Sequence, residues 1–210
     1  LFLKCPRCFY IDRRLGVGQP PGFPFNINSA IDDLLKKEFD EYRMSAQPHP
    51  LMRDAGVNAV PCRHEQLDQW RTNFTGVQVH HKKTNLIIFG AIDDLWITPN
   101  EQHLVVDYKA TSKDAVVTID APWQDSYKRQ IEVYQWLLRR NGLTVLDTGY
   151  FVYCNGRRNA PRFDARVEFD ISVIPYVGND TWVERCVIDA HECLMSDRIP
   201  EPTQNCDYCI

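Results

Sequence analysis

Two aspartates and a lysine interrupt apolar stretches in the middle of the chain, where a hydrophobic core has no use for charge. Asp93 ends the stretch IIFGAID, and Asp107 and Lys109 lie two residues apart in LVVDYKA. A buried carboxylate without a partner costs free energy, so these groups need a chemical reason. Carboxylate oxygens suit Mg²⁺ and Mn²⁺, and such an ion polarises a phosphate and lowers the pKa of its bound water. The three residues therefore predict a metal-dependent site for phosphodiester hydrolysis.

The lysine and a following helix supply the remaining groups of this predicted site. Asp107 and Lys109 point to the same face because side chains alternate along a strand, and Lys109 can orient the attacking water or stabilise developing charge. Gln130 and Tyr134 lie four residues apart in RQIEVYQWLL, so they share one helix face and can hold the lysine or a phosphate. We expect these four residues and Asp93 to line one cleft.

Each of these elements also has an ordinary structural interpretation. The consecutive aspartates at 93 and 94 fit a solvated turn, the strand aspartate and lysine fit an exposed ion pair, and the helical glutamine and tyrosine fit an amphipathic surface. Only their joint order and spacing favour a catalytic site. The six histidines are scattered, and we expect them to be structural or exposed, with His64 the one candidate for a role in a site.

Hydrophobic patterns predict the elements that position these groups. Helical periodicity covers 30–42, with Ile31, Leu34, Leu35 and Phe39 on one face and Asn28 or Ser29 as the cap. We expect further helices after the first cysteine pair and at 64–70, 123–141 and 180–196. We expect strands at 78–81, 84–89, 149–154 and 165–169, a hairpin of 86–98 with 103–110, and irregular structure at 45–58. This order predicts an α/β fold with a mixed central sheet flanked by helices.

Length and charge limit the classes of protein. The length of 210 residues predicts a single domain at 1–210. The net charge of −4 argues against a dedicated nucleic-acid coat, but it is compatible with an acidic metal site inside a locally basic cleft. No apolar run of about 18 residues is present, so we expect no membrane-spanning helix. The chain begins at Leu1 without a methionine and ends at Ile210 just after a cysteine, so we expect it to be a trimmed sequence.

Eight cysteines are many for such a chain. Cys5 and Cys8, and likewise Cys206 and Cys209, form two Cys-x-x-Cys pairs near the ends. This spacing lets two thiolates reach one metal ion or cluster, whereas a disulfide framework is typical of short secreted chains. We expect the four thiols to form one site that joins 1–18 to 197–210 as a metal-binding lobe. The other four cysteines lie among apolar residues, which predicts buried side chains.

Taken in order, these motifs resemble the PD-(D/E)XK nuclease superfamily. G-x-x-D is present at Gly90 and Asp93, D-x-K at Asp107 and Lys109, and Q-x-x-x-Y at Gln130 and Tyr134. The RecB-like branch, which includes CRISPR-associated adaptation nucleases, is most similar. The resemblance implies a restriction-endonuclease-like core and a cytoplasmic Mg²⁺- or Mn²⁺-dependent exodeoxyribonuclease. It implies DNA as the partner, with single-stranded ends or flaps as substrates, and possible nucleic-acid-processing protein partners.

The branch also suggests roles for the cysteines and the first helix. Members of this branch often join their termini with a [4Fe-4S] cluster, usually through one early and three late cysteines. This chain has two early and two late cysteines, and two Cys-x-x-Cys pairs suit Zn²⁺ equally well. The first core helix of the branch usually carries a histidine as an extra metal ligand. Here Asp32, or less favourably Asp33, takes that place, and an oxygen ligand suits Mg²⁺. The alternative for Asp32 is a helix N-terminal carboxylate that interacts with the macrodipole.

Two functions from different classes are consistent with the sequence. The first is the metal-dependent DNA nuclease. The second is a catalytically weak nucleic-acid-binding or assembly module that retains the nuclease fold. The intact aspartate–aspartate–lysine set favours the nuclease, while the acidic net charge and the missing histidine slightly favour the module.

Overall fold

The computed structural model describes residues 1–22, 26–204 and 206–209. In chain order, the helices are α1 Pro6–Arg13, α2 Asn26–Ser45, α3 Pro50–Asp54, α4 Leu67–Trp70, α5 Asp125–Arg140 and α6 Val183–Met195, with 3-10 turns at Pro122–Gln124 and Asp180–Trp182. The strands are β1 Val60–Pro61, β2 Val77–His81, β3 Leu86–Gly90, β4 Asp94–Ile97, β5 His103–Thr111, β6 Thr148–Gly156 and β7 Phe169–Val177.

The chain divides into two compact units. The sheet unit comprises Phe25–Val79 and Ile87–Asp180, and the terminal unit comprises Leu1–Pro24, His80–Leu86 and Thr181–Ile210. Within the terminal unit, α1 packs against α6, and the ring of His81 contacts Thr84 and Glu184. No helix in the described part of the chain is both long enough and apolar enough to cross a membrane.

A five-stranded mixed sheet, ordered β1-β4-β5-β6-β7, organises the sheet unit. Its neighbouring strands are antiparallel except β5 and β6, which run parallel. Parallel neighbours need a crossover connection, and α5 lies in this connection between them. Strands β2 and β3 form a separate two-stranded sheet. The predicted mixed α/β fold is therefore confirmed.

Alternation along β5 gives its two faces different partners. Leu104, Val106 and Tyr108 enter a core cluster that also contains Leu35 and Phe39 of α2. The other set, which includes Asp107 and Lys109, faces α5, whose buried residues include Ile131, Leu137 and Leu138. One strand therefore delivers apolar side chains to one layer and charged side chains to the other.

Several predicted helical features differ from the observed ones. Helix α2 begins at Asn26, so Asn28 and Ser29 lie inside its first turn and do not cap it from outside. Leu34 is 62% exposed, because the buried face follows the four-residue spacing of Leu35 and Phe39. The region 45–58 is not wholly irregular, since Pro50 at the first helical position and a cap from His49 start the short helix α3.

Two predicted strands were also placed wrongly. β3 ends at Gly90 and pairs with β2, so 86–98 is not one continuous strand and only β4 pairs with β5. The last strand is β7 at Phe169–Val177 and not 165–169. Pro175 lies within β7 and argues against a central strand, but β7 is at the sheet edge, where a proline is tolerated.

Candidate active site and cysteine site

The antiparallel pairing of β4 and β5 brings the two motif aspartates together. Asp94 pairs with Val106, so extending the register by one residue places Asp93 opposite Asp107. The backbone N–H of Tyr108 donates a hydrogen bond to Oδ2 of Asp93 at 2.7 Å. The charge of Asp107 helps to raise the pKa of Asp93, so the two carboxyl groups are close neighbours.

Asp107 is a buried acid with few polar partners. Its side chain is fully buried, and neither carboxylate oxygen accepts a hydrogen bond of acceptable geometry. The Lys109 ammonium lies in ion-pair contact with Oδ2. One cation beside two carboxyl groups leaves a net negative, poorly hydrated pair, which is an unfavourable arrangement unless another positive charge compensates it.

The pKa values of both acids are consistent with this interpretation. Burial, followed by the charge of Asp107, raises the pKa of Asp93 to about 8. Burial also raises the pKa of Asp107, although the positive charge of Lys109, in contact with the carboxylate, acts in the opposite direction. A proton can therefore occupy the pair near neutral pH, and a bound cation would favour ionisation of both groups.

Lys109 connects the acids to α5. Its ammonium donates to Oε1 of Gln130 at 3.3 Å, and Nε2 of Gln130 donates to the Tyr134 hydroxyl at 2.7 Å. Burial raises the pKa of Tyr134, so its hydroxyl stays protonated. The ammonium also lies 4.6 Å from the ring centroid of Tyr127. The structure thus brings together Asp93, Asp107, Lys109, Gln130 and Tyr134.

The glycine of G-x-x-D has a steric role here. A Cβ atom on Gly90 would lie 2.7 Å from Cε1 of Tyr134, closer than non-bonded carbon atoms approach. Only glycine lets the end of β3 pass this close to the tyrosine ring. Gly90 therefore contributes to the site by leaving space for Tyr134.

Asp32 lies on α2, beyond the first turn of the helix, so a role as a helix N-terminal carboxylate is excluded. Its negative charge contributes to the raised pKa values of Asp93 and Asp107. It forms an ion pair with Lys36 at 2.6 Å, and the three aspartates do not form a closely spaced ligand group among the described residues. Asp33 is exposed. A ligand role for Asp32 stays a prediction.

A buried ion network lies on the other face of β4. Asp94 is fully buried and accepts hydrogen bonds from Arg43 at 2.6 Å, from Arg71 at 2.8 Å and from the Tyr108 hydroxyl at 2.8 Å. Arg71 also donates to the backbone oxygen of Asp93 at 3.1 Å. The network therefore fixes the backbone at Asp93, which is one of the candidate metal ligands.

The sequence does not predict this network, because the consecutive aspartates at 93 and 94 also fit a solvated turn. Consecutive residues of an extended segment point to opposite faces, so two adjacent aspartates already signal two different environments. The arginine partners come from α2 and from the residue after α4, and no local pattern connects them to Asp94. His64 stacks on Trp70 with centroids 4.2 Å apart, which agrees with a structural role.

The terminal unit contains the four-cysteine group. The sulfur atoms of Cys5, Cys8, Cys206 and Cys209 lie within 4.8 Å of one another, and the closest described pair is Cys8 with Cys209 at 3.3 Å. All four are unbridged thiols, which disfavours the disulfide alternative. Among the described residues, no other group of three or more His, Cys, Asp or Glu side chains is so closely spaced.

Contacts around α1 hold the C-terminal tail beside this group. Arg7 donates to the backbone oxygen of Pro200 at 2.9 Å, and the Tyr10 hydroxyl donates to that of Ser196 at 3.0 Å. Burial acts to raise the pKa of Cys5, but hydrogen bonds from the backbone of Cys8 and Thr203 outweigh it and lower the pKa to about 6. A thiol that ionises readily is a better metal ligand.

The remaining cysteines differ in their surroundings. Cys62 and Cys154 are buried, as predicted. Cys186 and Cys193 are only partly buried, because α6 exposes part of its surface, so the prediction of four buried side chains was wrong for these two.

Residues 26–210 match the sequence profile of the PD-(D/E)XK nuclease superfamily. This chain belongs to the PD-(D/E)XK nuclease superfamily. A search of curated proteins gives no significant match.

Membership of the PD-(D/E)XK superfamily gives the acidic cluster a chemical context. Members are generally metal-dependent nucleases that usually use Mg²⁺ or Mn²⁺, and the fold implies nucleic-acid binding. The matched region includes both strands and the helix that carry the motif residues. It also includes the second cysteine pair but not the first, so the family match leaves the role of the cysteine group open.

Proposed function

We propose that this protein is a divalent-metal-dependent nuclease that hydrolyses DNA phosphodiester bonds at single-stranded ends or flaps. The observation that carries this proposal is Asp107, a fully buried carboxylate that lies next to Asp93 and is in ion-pair contact with Lys109. A structural ion pair would not need the second acid. A site that takes up a cation does need it.

The residues fit the ion that the superfamily uses. Asp93 and Asp107 offer hard oxygen donors, which Mg²⁺ and Mn²⁺ prefer, and Oδ1 of Asp107 is buried without a hydrogen-bond partner among the described residues. When bound, the ion supplies charge neutralisation at the phosphate and a more acidic water. Asp93 and Asp107 are therefore the proposed metal ligands, with Asp32 as a third.

The other residues act on position and charge. Lys109 presents an ammonium beside the acids and is proposed to orient the attacking water or stabilise charge on the phosphate. Gln130 accepts a hydrogen bond from Lys109 and in turn donates to Tyr134, which restricts the rotamers of the lysine. Tyr134 keeps its proton, because its pKa is raised, so it serves as a donor and not as a base.

We further propose that the protein belongs to the RecB-like branch and acts as an exonuclease on single strands. The cysteine group next to both chain ends and the order of the motifs support this assignment. The test is Mn²⁺-dependent degradation of labelled single-stranded DNA, compared with duplex DNA and RNA of the same sequence. Strand-length distributions over time separate stepwise exonuclease products from endonuclease products.

A catalytically weak nucleic-acid-binding module is the second candidate. The ion pair between Asp32 and Lys36 favours it, because it engages the residue proposed to replace the usual histidine ligand. The same assay separates the two functions: a binding module retains labelled DNA in the presence of Mn²⁺ and leaves it intact.

Asp32 provides a prediction of its own. We expect Asp32→Ala to lower the cleavage rate by about 10–100-fold, the usual effect of removing a group that supports a metal site, because its charge acts on both Asp93 and Asp107. Asp33→Ala is the matched control, since Asp33 is adjacent and exposed, and it should cleave at the wild-type rate. Equal rates for Asp32→Ala and wild type would show that Asp32 is not a ligand.

We further propose that the four cysteines hold a [4Fe-4S] cluster in a lobe formed by residues 1–18 and 197–210 of a single nuclease domain. Four thiols at 4.8 Å or less suit either such a cluster or Zn²⁺. Ligation would close a loop of almost the whole chain, which removes much conformational entropy from the unfolded state.

Cys206→Ser should therefore release the bound metal and lower the thermal midpoint by several degrees. Cys186→Ser is the matched control, because Cys186 lies outside the group, and it should keep both metal and stability. Iron and sulfide analysis with visible absorption identifies the metal. A colourless protein with stoichiometric zinc would replace the cluster with Zn²⁺, and unchanged metal content in Cys206→Ser would refute the shared site.

A further inference from the structure

A pair of aromatic side chains extends from the candidate active site to the protein surface. The ammonium of Lys109 lies over the ring of Tyr127, 4.6 Å from its centroid. Tyr127 makes an edge-to-face contact with Trp123, with centroids 5.5 Å apart, and Trp123 is 61% exposed. The inner end of this pair is thus in contact with a candidate catalytic group, and its outer end contacts solvent.

The spacing of these residues places them on a surface that the site already uses. Tyr127, Gln130 and Tyr134 follow one another at intervals of three and four residues within α5, which is the repeat of one helix face. Trp123 precedes Tyr127 by four residues, in the 3-10 turn that leads into α5. Gln130 and Tyr134 lie on this face next to Lys109. The face therefore continues past the candidate catalytic residues toward the start of α5.

The backbone under Trp123 is firmly held. Trp123 lies in the 3-10 turn Pro122–Gln124, and the buried side chain of Gln124 accepts from the N–H of Ala121 at 3.0 Å and donates to the oxygen of Thr118 at 2.7 Å. Ser126 donates to the oxygen of Trp123 at 3.0 Å. A single exposed aromatic residue is ordinary on a protein surface, but the backbone of this one is held by hydrogen bonds, and its ring is connected to the site through Tyr127.

We propose that the exposed ring of Trp123, which Tyr127 contacts edge to face, forms a stacking platform for an unpaired base of single-stranded DNA whose phosphate lies at Asp93, Asp107 and Lys109. The platform, which rests on the proposed nuclease function, would explain why the protein prefers single strands to duplex DNA. An aromatic ring binds the face of a base only when that base is unstacked, a condition that a single strand meets and a duplex does not. The Lys109 ammonium, next to Tyr127, complements the phosphate of the same nucleotide.

The experiment compares binding of two probes without cleavage. Asp107→Asn is the background, and the probes are a labelled oligothymidine of about 12 nucleotides, within the usual site sizes, and an equally long strand of abasic sugar phosphates. We expect Trp123→Ala to weaken oligothymidine binding about 5–150-fold, the range for loss of one stacking contact, and to leave abasic-strand binding unchanged. Trp123→Phe should restore most of the affinity.

Phe163→Ala is the matched control, because Phe163 is also an exposed aromatic residue, 71% accessible, but lies in the loop between β6 and β7. It should bind both probes like the background protein. The platform is refuted if Trp123→Ala leaves oligothymidine binding unchanged, or if it weakens both probes equally. If Trp123→Ala weakens binding of blunt duplex DNA as much as it weakens binding of oligothymidine, the platform does not determine the preference for single strands.

Cleavage by the wild-type protein separates this inference from the nuclease proposal. If wild type degrades single-stranded DNA and Trp123→Ala binds and cleaves normally, the nuclease function stands and the platform is wrong. If wild type does not cleave but Trp123→Ala selectively loses oligothymidine binding, the nuclease function fails and the platform stands as a binding surface. Absence of oligothymidine binding by the background protein overturns the platform.

Discussion

The Asp107→Asn variant is expected to lose Mn²⁺-dependent cleavage of single-stranded DNA by at least about 10²–10³-fold, the usual cost of removing one group that stabilises developing charge. Asparagine keeps the shape of the side chain at this fully buried position but removes one of the two negative charges proposed to hold the ion. The measurement is the single-turnover cleavage rate of an end-labelled strand with saturating enzyme.

The same variant should remain folded and should be more heat-stable than wild type without divalent ions. Wild type keeps a fully buried carboxylate next to a second acid, with the Lys109 ammonium in contact with it, and functional sites commonly retain such destabilising groups. Mn²⁺ should raise the thermal midpoint of wild type, because a ligand that binds only the folded state stabilises it. The midpoint of the variant should not respond to Mn²⁺.

Asp33→Asn controls for the general effect of removing one acidic charge, since Asp33 is exposed on α2. It should retain both cleavage and the Mn²⁺-dependent rise in thermal midpoint. A wild-type cleavage rate in Asp107→Asn would exclude this acidic cluster as the catalytic site. An undiminished response of that variant to Mn²⁺ would place the ion elsewhere in the protein.

The convergence of the motif residues was accessible from sequence because local periodicities govern it. The two-residue repeat of a strand puts Asp107 and Lys109 on one face, and the helical repeat does the same for Gln130 and Tyr134. Chain order then predicts a mixed sheet with a crossover helix. The close approach of Gly90 to Tyr134 was not accessible, because it depends on where β3 ends relative to α5.

The partners of Asp94 were inaccessible for a related reason. Arg43 and Arg71 are separated from Asp94 by 51 and 23 residues along the chain, and many arginines are available at such separations. Which of them becomes buried depends on how α2 packs on the sheet. A helical pattern predicts that α2 has an apolar face, but it does not predict that Arg43 is buried while Leu34 is exposed.

Asp94→Ala is expected to produce the largest loss of stability of any variant considered, about 3–5 kcal/mol. The Asp94 carboxylate is fully buried and accepts hydrogen bonds from two arginines and a tyrosine. Its removal leaves Arg43 without a buried acidic partner and deprives Arg71 and Tyr108 of theirs. For a chain of this size, the loss corresponds to a fall of roughly 6–20 °C in the thermal midpoint.

Asp40→Ala is the matched control, because Asp40 pairs with the same two arginines but has a side chain that is 42% exposed. Ion pairs open to solvent contribute little, so this variant should lose no more than about 1 kcal/mol. Thermal and urea unfolding, followed by circular dichroism, measure both changes. Equal losses of unfolding free energy in the two variants would show that burial of Asp94 does not increase its contribution to stability.

The Asp94 variant also separates a positioning role from a catalytic one. Arg71 holds both Asp94 and the backbone oxygen of Asp93, so loss of Asp94 loosens the segment that carries the first proposed metal ligand. At a temperature where Asp94→Ala is still folded, we expect cleavage to need more Mn²⁺ for half-maximal rate and to approach the wild-type rate at saturation. Asp107→Asn should show no such rescue, because it lacks a proposed ligand. A saturating rate in Asp94→Ala as low as that of Asp107→Asn would contradict the positioning role.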